Sequence, residues 1–177
     1  MDPLIIGISI PLEIRKRLSQ ICYGLPNVEW VEEENFLLSI CHIGKVEEQL
    51  KLDILENLAE IHFPIFPINL FGIECSKSKG LIWLNVEISD LIAQFGKEIE
   101  RVLRSNKVEK KSQNYFFPHV ILGRFRSISY ERLCEYLESN GLVSVPSIKV
   151  MFFSLYECHT SKKRSFYTEI SRYPLLT

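Results

Sequence analysis

The chain has 177 residues, 46% hydrophobic and 24% charged, the balance of a globular protein long enough for one sizeable core or two small lobes sharing a cleft. Lys plus Arg (21) nearly balance Asp plus Glu (22), so no global field draws it to nucleic acid or membrane, and any polyanion must meet a local basic patch. Cys22, Cys41, Cys75, Cys134 and Cys158 show no CxxC spacing and mostly lie in apolar segments, which predicts reduced, mostly buried thiols of a cytoplasmic protein rather than a disulfide framework. The opening MDPLIIGISIP lacks the basic flank and cleavage site of a signal peptide, and no apolar run approaches the roughly 18 residues that span a bilayer.

The elements alternate along the chain. LIIGISI (4–10) is a β-branched run closed by Pro11, and Ile14, Leu18, Ile21 and Leu25 then recur at helical spacing. FLLSICHI (36–43) predicts a strand ended by Gly44. Leu50, Ile54, Leu58 and Ile61 mark a second helix, and Pro64 to Pro67 read as a turn. INLFGIECS (68–76) and LIWLNVEI (81–88) predict two strands joined by the turn KSKG. Leu91, Ile92, Phe95, Ile99, Val102 and Leu103 form one face of a third helix, with Ser89 as its N-cap. A polar loop leads to the strand FFPHVILGRF. A fourth helix carries Tyr130, Leu133, Cys134 and Leu137 and stops at Gly141. IKVMFFSLYE and SFYTEISRY are two long strands flanking the basic tip SKKR. The order suggests two similar halves in which the strands at 36–43 and 117–124 occupy matching places, although identity between the halves is too weak to prove duplication.

Among chemistry-bearing residues, His42, His62, His119 and His159 include no pair at zinc-site spacing, and neither a GxxxxGK[ST] nor a GxSxG is present. His119 is the most informative. It follows Pro118, and strict alternation sets Phe117, His119, Ile121 and Gly123 on one face. A mid-strand histidine among large apolar residues is commonly a hydrogen-bonded core residue. Arg124 and Arg126, directly after it, instead favour an anionic ligand.

LIIGISIPLEI resembles the opening of the two-histidine (2H) phosphoesterases, in the branch of RNA 2′,3′-cyclic phosphodiesterases also called 2′-5′ RNA ligases. WVEEENFLLSICHIGKV resembles that branch's W-V-x-x-E-N-L-H-L-T-L-x-F-L-G-x-V, and FFPHVILGRFR its F-x-P-H-V-T-L-x-R. The tail FFSLYECHTSKKRSFYTEISRYPL is similar to its final hairpin, including a Tyr near the start of the last strand. The resemblance spans nearly the whole chain, residues 1–177, as one bilobal domain. It implies an α+β fold of two pseudo-symmetric lobes, each an antiparallel sheet with helices on its outer face, with an active-site cleft between them. It implies hydrolysis of 2′,3′-cyclic phosphate ends of RNA, or of cyclic nucleotides, to a 2′-phosphate, with no cofactor and no metal. Each lobe supplies one H-x-[ST], because one imidazole must deprotonate the attacking water and another must protonate the leaving ribose oxygen.

This sequence departs from that pattern. His119 matches the second motif's histidine and Arg124 its arginine, but Ile121 stands at the Thr position. Leu37 stands at the first motif's histidine position, while Ser39 keeps the hydroxyl. The resemblance therefore implies His119 as catalytic residue, Ser39 and Arg124 as substrate contacts, and catalysis weakened at Leu37 and Ile121; the alternative is a non-catalytic descendant that binds RNA ends or nucleotides. Strict alternation sets His42 with Leu38 and Ile40, on the face opposite Leu37 and Ser39, unless a register change or bulge turns it inward; it likewise sets Arg124 opposite His119, so that a cleft role for Arg124 requires a strand end or twist. Lys107–Lys111 and Lys162–Arg164 either flank the cleft and meet backbone phosphates or are solvated loop charges. The edges of open sheets leave the oligomeric state open.

Overall fold

The computed structural model describes residues 1–108, 116–161 and 164–176. The β-branched opening forms β1 (Leu4–Ser9), and α1 (Leu12–Ser19) buries Ile14 and Leu18. The helix ends before Ile21 and Leu25, which the spacing had included, although Leu25 still packs into the core. β2 (Val28–Trp30) is too short to show a period and was not predicted. β3 (Leu37–Gly44) and α2 (Glu48–Leu58) follow as expected.

The proline-bounded stretch read as a turn contains β4 (Phe66–Ile68), in which Pro67 sits in a two-stranded ribbon that needs no central-ladder donor from it. β5 (Leu70–Ser76) and β6 (Leu81–Val86) form a hairpin. α3 (Asp90–Ser105) buries Ile92, Phe95, Gly96, Ile99, Val102 and Leu103, while Leu91 is exposed rather than part of that face. Its Ser89 hydroxyl accepts the Ile92 N–H, satisfying one of the free donors of the first turn. β7 (Phe116–Phe125) leads to α4 (Tyr130–Asn140), capped by Ser129 and ended at Gly141. The run read as one strand from Ile148 breaks at Met151 into β8 (Ile148–Val150) and β9 (Phe152–Thr160), and β10 (Ser165–Pro174) closes the hairpin.

Among the described residues the main sheet runs β10-β9-β1-β3-β7-β6-β5, with β2 also on β7, and β4 pairs β8 separately. Two repeats are plain in this order: β1-α1-β3-α2-β4 and β6-α3-β7-α4-β8. The pairings β3 with β7 and β4 with β8 join equivalent strands antiparallel, as a two-fold relation demands. The ladder Leu38–Val120, Ser39–His119 places that axis through the Leu38–Val120 pair. It relates Leu37 to His119, Ser39 to Ile121 and His42 to Arg124.

Leu38, Ile40, Val120 and Leu122 belong to the large core that includes the buried faces of all four helices. Leu37 belongs to a separate small cluster with Ile5 and Tyr156 on the opposite face. Helices therefore cover one face of the sheet, and the other is left as the wall of a cleft.

Both central strands carry a β-bulge at the same place. Gly7 pairs with Ser39 and Ile6 with Cys41, so Ile40 is an extra residue against β1. Trp83 pairs with Ile121 and Ile82 with Gly123, so Leu122 is the extra residue against β6. An inserted residue reverses the alternation beyond it. Ile40 and Cys41 are both buried, as are Leu122 and Gly123. His42 then returns to the open face opposite Ile5, and Arg124 returns opposite Leu81.

Candidate active site

The open face and the β9–β10 hairpin enclose a cleft of about 540 Å³. Leu37, Ser39 and His42 from β3 line it together with His119, Ile121 and Arg124 from β7. Strict alternation had set His42 and Arg124 on the helix-covered face. The two bulges overturn that expectation for both residues by one cause.

His119 is half-buried, directly across the ladder from Ser39. Its Nδ1 lies 2.6 Å from the Phe117 carbonyl oxygen, which can only accept, so Nδ1 carries the proton and the Nε2 lone pair is free. The ring stacks on Phe117 with centroids 4.4 Å apart, which fixes its orientation. Burial chiefly lowers its pKa; the Phe117 carbonyl opposes this, while Arg124, Lys79 and His42 lower it further. The result is a neutral imidazole with an available lone pair, suited to take a proton. His42 lies at the exposed edge of the cleft, and desolvation by its surroundings also lowers its pKa.

Leu37 is 7% exposed and packs on Ile5 and Tyr156. The absence of a side chain at Gly7 makes room for it, since a Cβ there would stand 3.1 Å from both Leu37 Cδ atoms. Arg124 pairs in the ladders between Glu29 and Leu81. Its charge lowers the pKa of His119 on its own strand and opposes the raising by burial at Cys158 and Tyr167 on the hairpin. The guanidinium thus influences both walls.

Arg164, at the hairpin tip, pairs with Glu32 at 3.0 Å across the mouth, and both line the cleft. Of the two basic segments singled out in the sequence, Lys110, Lys111, Lys162 and Lys163 lie outside the described residues.

The remaining histidines are elsewhere. His159 pairs with Asp2 at 2.9 Å, and His62 donates from Nδ1 to the Glu60 carbonyl at 2.7 Å. Asp2, Glu157 and His159 come close enough to share an ion, but Glu157 is already engaged by Lys51. Among the cysteines only Cys41 is fully buried, and the other four are half-buried, which corrects the expectation of mostly buried thiols; all five are free. No helix is long and apolar enough to cross a membrane among the described residues. His42 is the site residue that counting missed. The consecutive inward pair Ile40–Cys41 is its only local signal, and an unbroken apolar run hides it.

No family model matches the chain. A protein of Aeropyrum pernix described as RNA 2′,3′-cyclic phosphodiesterase is 30% identical, over 81% of this chain and 84% of its own length. A Thermotoga maritima protein of the same description is 27% identical, over 86% of this chain and 92% of its own. Among solved structures, one described as a phosphoesterase superposes with a TM-score of 0.81 at 18% identity, over 99% of each chain. Escherichia coli LigT complexed with 3′-AMP superposes with a TM-score of 0.79 at 19% identity, again over 99% of each.

Proposed function

Because the chain belongs to the RNA 2′,3′-cyclic phosphodiesterase family, we propose that this cleft opens a terminal 2′,3′-cyclic phosphate to a 2′-phosphate, more slowly than a cleft holding both motif histidines. The observation that carries the reading is His119 itself, with Nε2 free and its ring locked by Phe117 on the cleft face. Nε2 takes a proton from water, whose oxygen attacks phosphorus while the P–O3′ bond breaks and O3′ takes a proton from solvent. Ser39, across the ladder, donates its hydroxyl to a phosphate oxygen, and Arg124 offsets the charge that develops. Leu37 can neither hold nor release a proton where the resembled motif has histidine, and losing one general acid or base costs on the order of 10²–10⁴ in rate.

A second reading is a cleft that binds an RNA end or nucleotide without turning it over. The apolar pair Leu37 and Ile121 favours it, because neither supplies a hydrogen bond to phosphate.

Incubation with 2′,3′-cyclic AMP and chromatography of the products tests the choice. The first reading expects 2′-AMP from the wild type and none from His119→Ala. A wild-type rate equal to that of buffer sinks it and leaves the binder. The double change Leu37→His with Ile121→Thr raises the rate if the phosphate position between those residues persists.

A further inference from the structure

The bulge at Ile40 does more than turn one side chain over. The first half of the cleft lacks a histidine at Leu37 and holds one at His42, on the same strand and the same face. The pattern that this strand resembles has Phe at the place of His42, a residue without a proton to give. The described cleft lining therefore still contains two imidazoles, one from each central strand, but the β3 imidazole is displaced toward the β3 C-terminus.

The ladder sets the order of the groups along the floor. Ser39 faces His119, and one step further Leu37 comes opposite Ile121. Beyond Ser39 in the other direction lies His42, close enough to His119 for its charge to bear on it. Ser39, His119 and His42 thus form a polar group at one end of the floor. Leu37 and Ile121 lie at the other end, with Arg124 beyond them on β7, while Ile5 of β1 stands across from His42.

We propose that His42 is the second proton-transfer residue of this cleft, and that the reacting phosphate sits within reach of His42, Ser39 and His119. This rests on the cyclic phosphodiesterase reading. His119 Nε2 takes the proton of the attacking water, the new P–O bond forms, P–O3′ breaks, and the His42 imidazolium gives its proton to O3′. His119 then returns its proton to solvent and His42 regains one, so that one water is consumed per turnover and no other reactant is needed. The Phe117 carbonyl holds the His119 proton on Nδ1 and leaves Nε2 as an acceptor aimed at the cleft, which assigns it the base and leaves the acid to His42.

The experiment compares wild type, His42→Phe, Ser39→Ala and His119→Ala on 2′,3′-cyclic AMP, measuring kcat and KM across pH. Phe is the residue of the resembled pattern and His42 is exposed, so this change leaves the core intact; circular dichroism and Tm confirm folding. The proposal expects His42→Phe to lower kcat about 10²-fold or more with KM within a few-fold. The wild-type kcat should fall on both sides of an optimum, and His42→Phe should lose the fall on the alkaline side. A wild type with no turnover overturns the cyclic phosphodiesterase reading and this inference with it. An inactive His119→Ala beside a His42→Phe that keeps the wild-type kcat and profile leaves the reading standing and overturns only the role of His42.

Discussion

His119 is held neutral by the fold, and that has a consequence for stability as well as for chemistry. Its folded pKa lies below the unfolded value of roughly 6.5. The unfolded state therefore binds the proton more readily, and the stabilisation is fully present above the unfolded pKa and lost as pH falls through the folded one. His42 shifts in the same direction and adds to the effect. Thermal unfolding of His119→Gln should lose less stability between neutral and mildly acid pH than the wild type does; parallel Tm curves would contradict the assignment. At this scale the sequence made His119, Ser39, Leu37 and Ile121 legible, because all four precede the bulges and obey simple alternation. Alternation alone put His42 and Arg124 on the wrong face because both follow an inserted residue, and their faces depend on a register set by β1 and β6, not by β3 or β7 alone; only the motif resemblance brought Arg124 to the cleft.

The bulge in β7 depends on a close approach by β2. Gly123 pairs with Trp30, and a Cβ at Gly123 would stand 2.7 Å from Val28 Cγ1 and 2.9 Å from Trp30 Cε3. Neither neighbour is a free chain end: Trp30 packs on Tyr136 of α4 with ring centroids 5.6 Å apart. Gly123→Ala should therefore push β2 off the strand at a cost of about 1–3 kcal/mol. The measurable result is a Tm lowered by several degrees, with a raised KM because Arg124 is the next residue. An unchanged Tm would mean that β2 yields without loss. Long periodic segments such as α3 and β3 were readable from their own residues. β2 and β4 were not, since three residues carry no period and their pairing is decided by β7 and β8.

The two-fold relation explains why one cleft has two differently charged ends. Equivalent positions hold Leu37 and His119, Ser39 and Ile121, His42 and Arg124, so every polar group faces a chemically different partner across the axis. Over this asymmetric floor, Arg164 of the hairpin tip reaches Glu32 after β2, joining parts of the chain that no shared ladder connects. The pair is largely exposed, and such pairs contribute about 0–1 kcal/mol to stability. Its effect should fall on substrate instead. A mononucleoside cyclic phosphate has no further phosphate, whereas an RNA end carries one beyond its terminal nucleoside, and that phosphate would compete with Glu32 for Arg164. Glu32→Gln releases the guanidinium from its carboxylate without removing it. The expected outcome is a Tm within about 1–2 °C of wild type and an unchanged KM for 2′,3′-cyclic AMP. For a short RNA ending in a cyclic phosphate, KM should fall several-fold at low salt and the difference should shrink as salt rises, because the gain is Coulombic and screened. Equal changes for both substrates would place the effect at the reacting phosphate; no change for either would reduce the ion pair to a solvated contact at the mouth of the cleft.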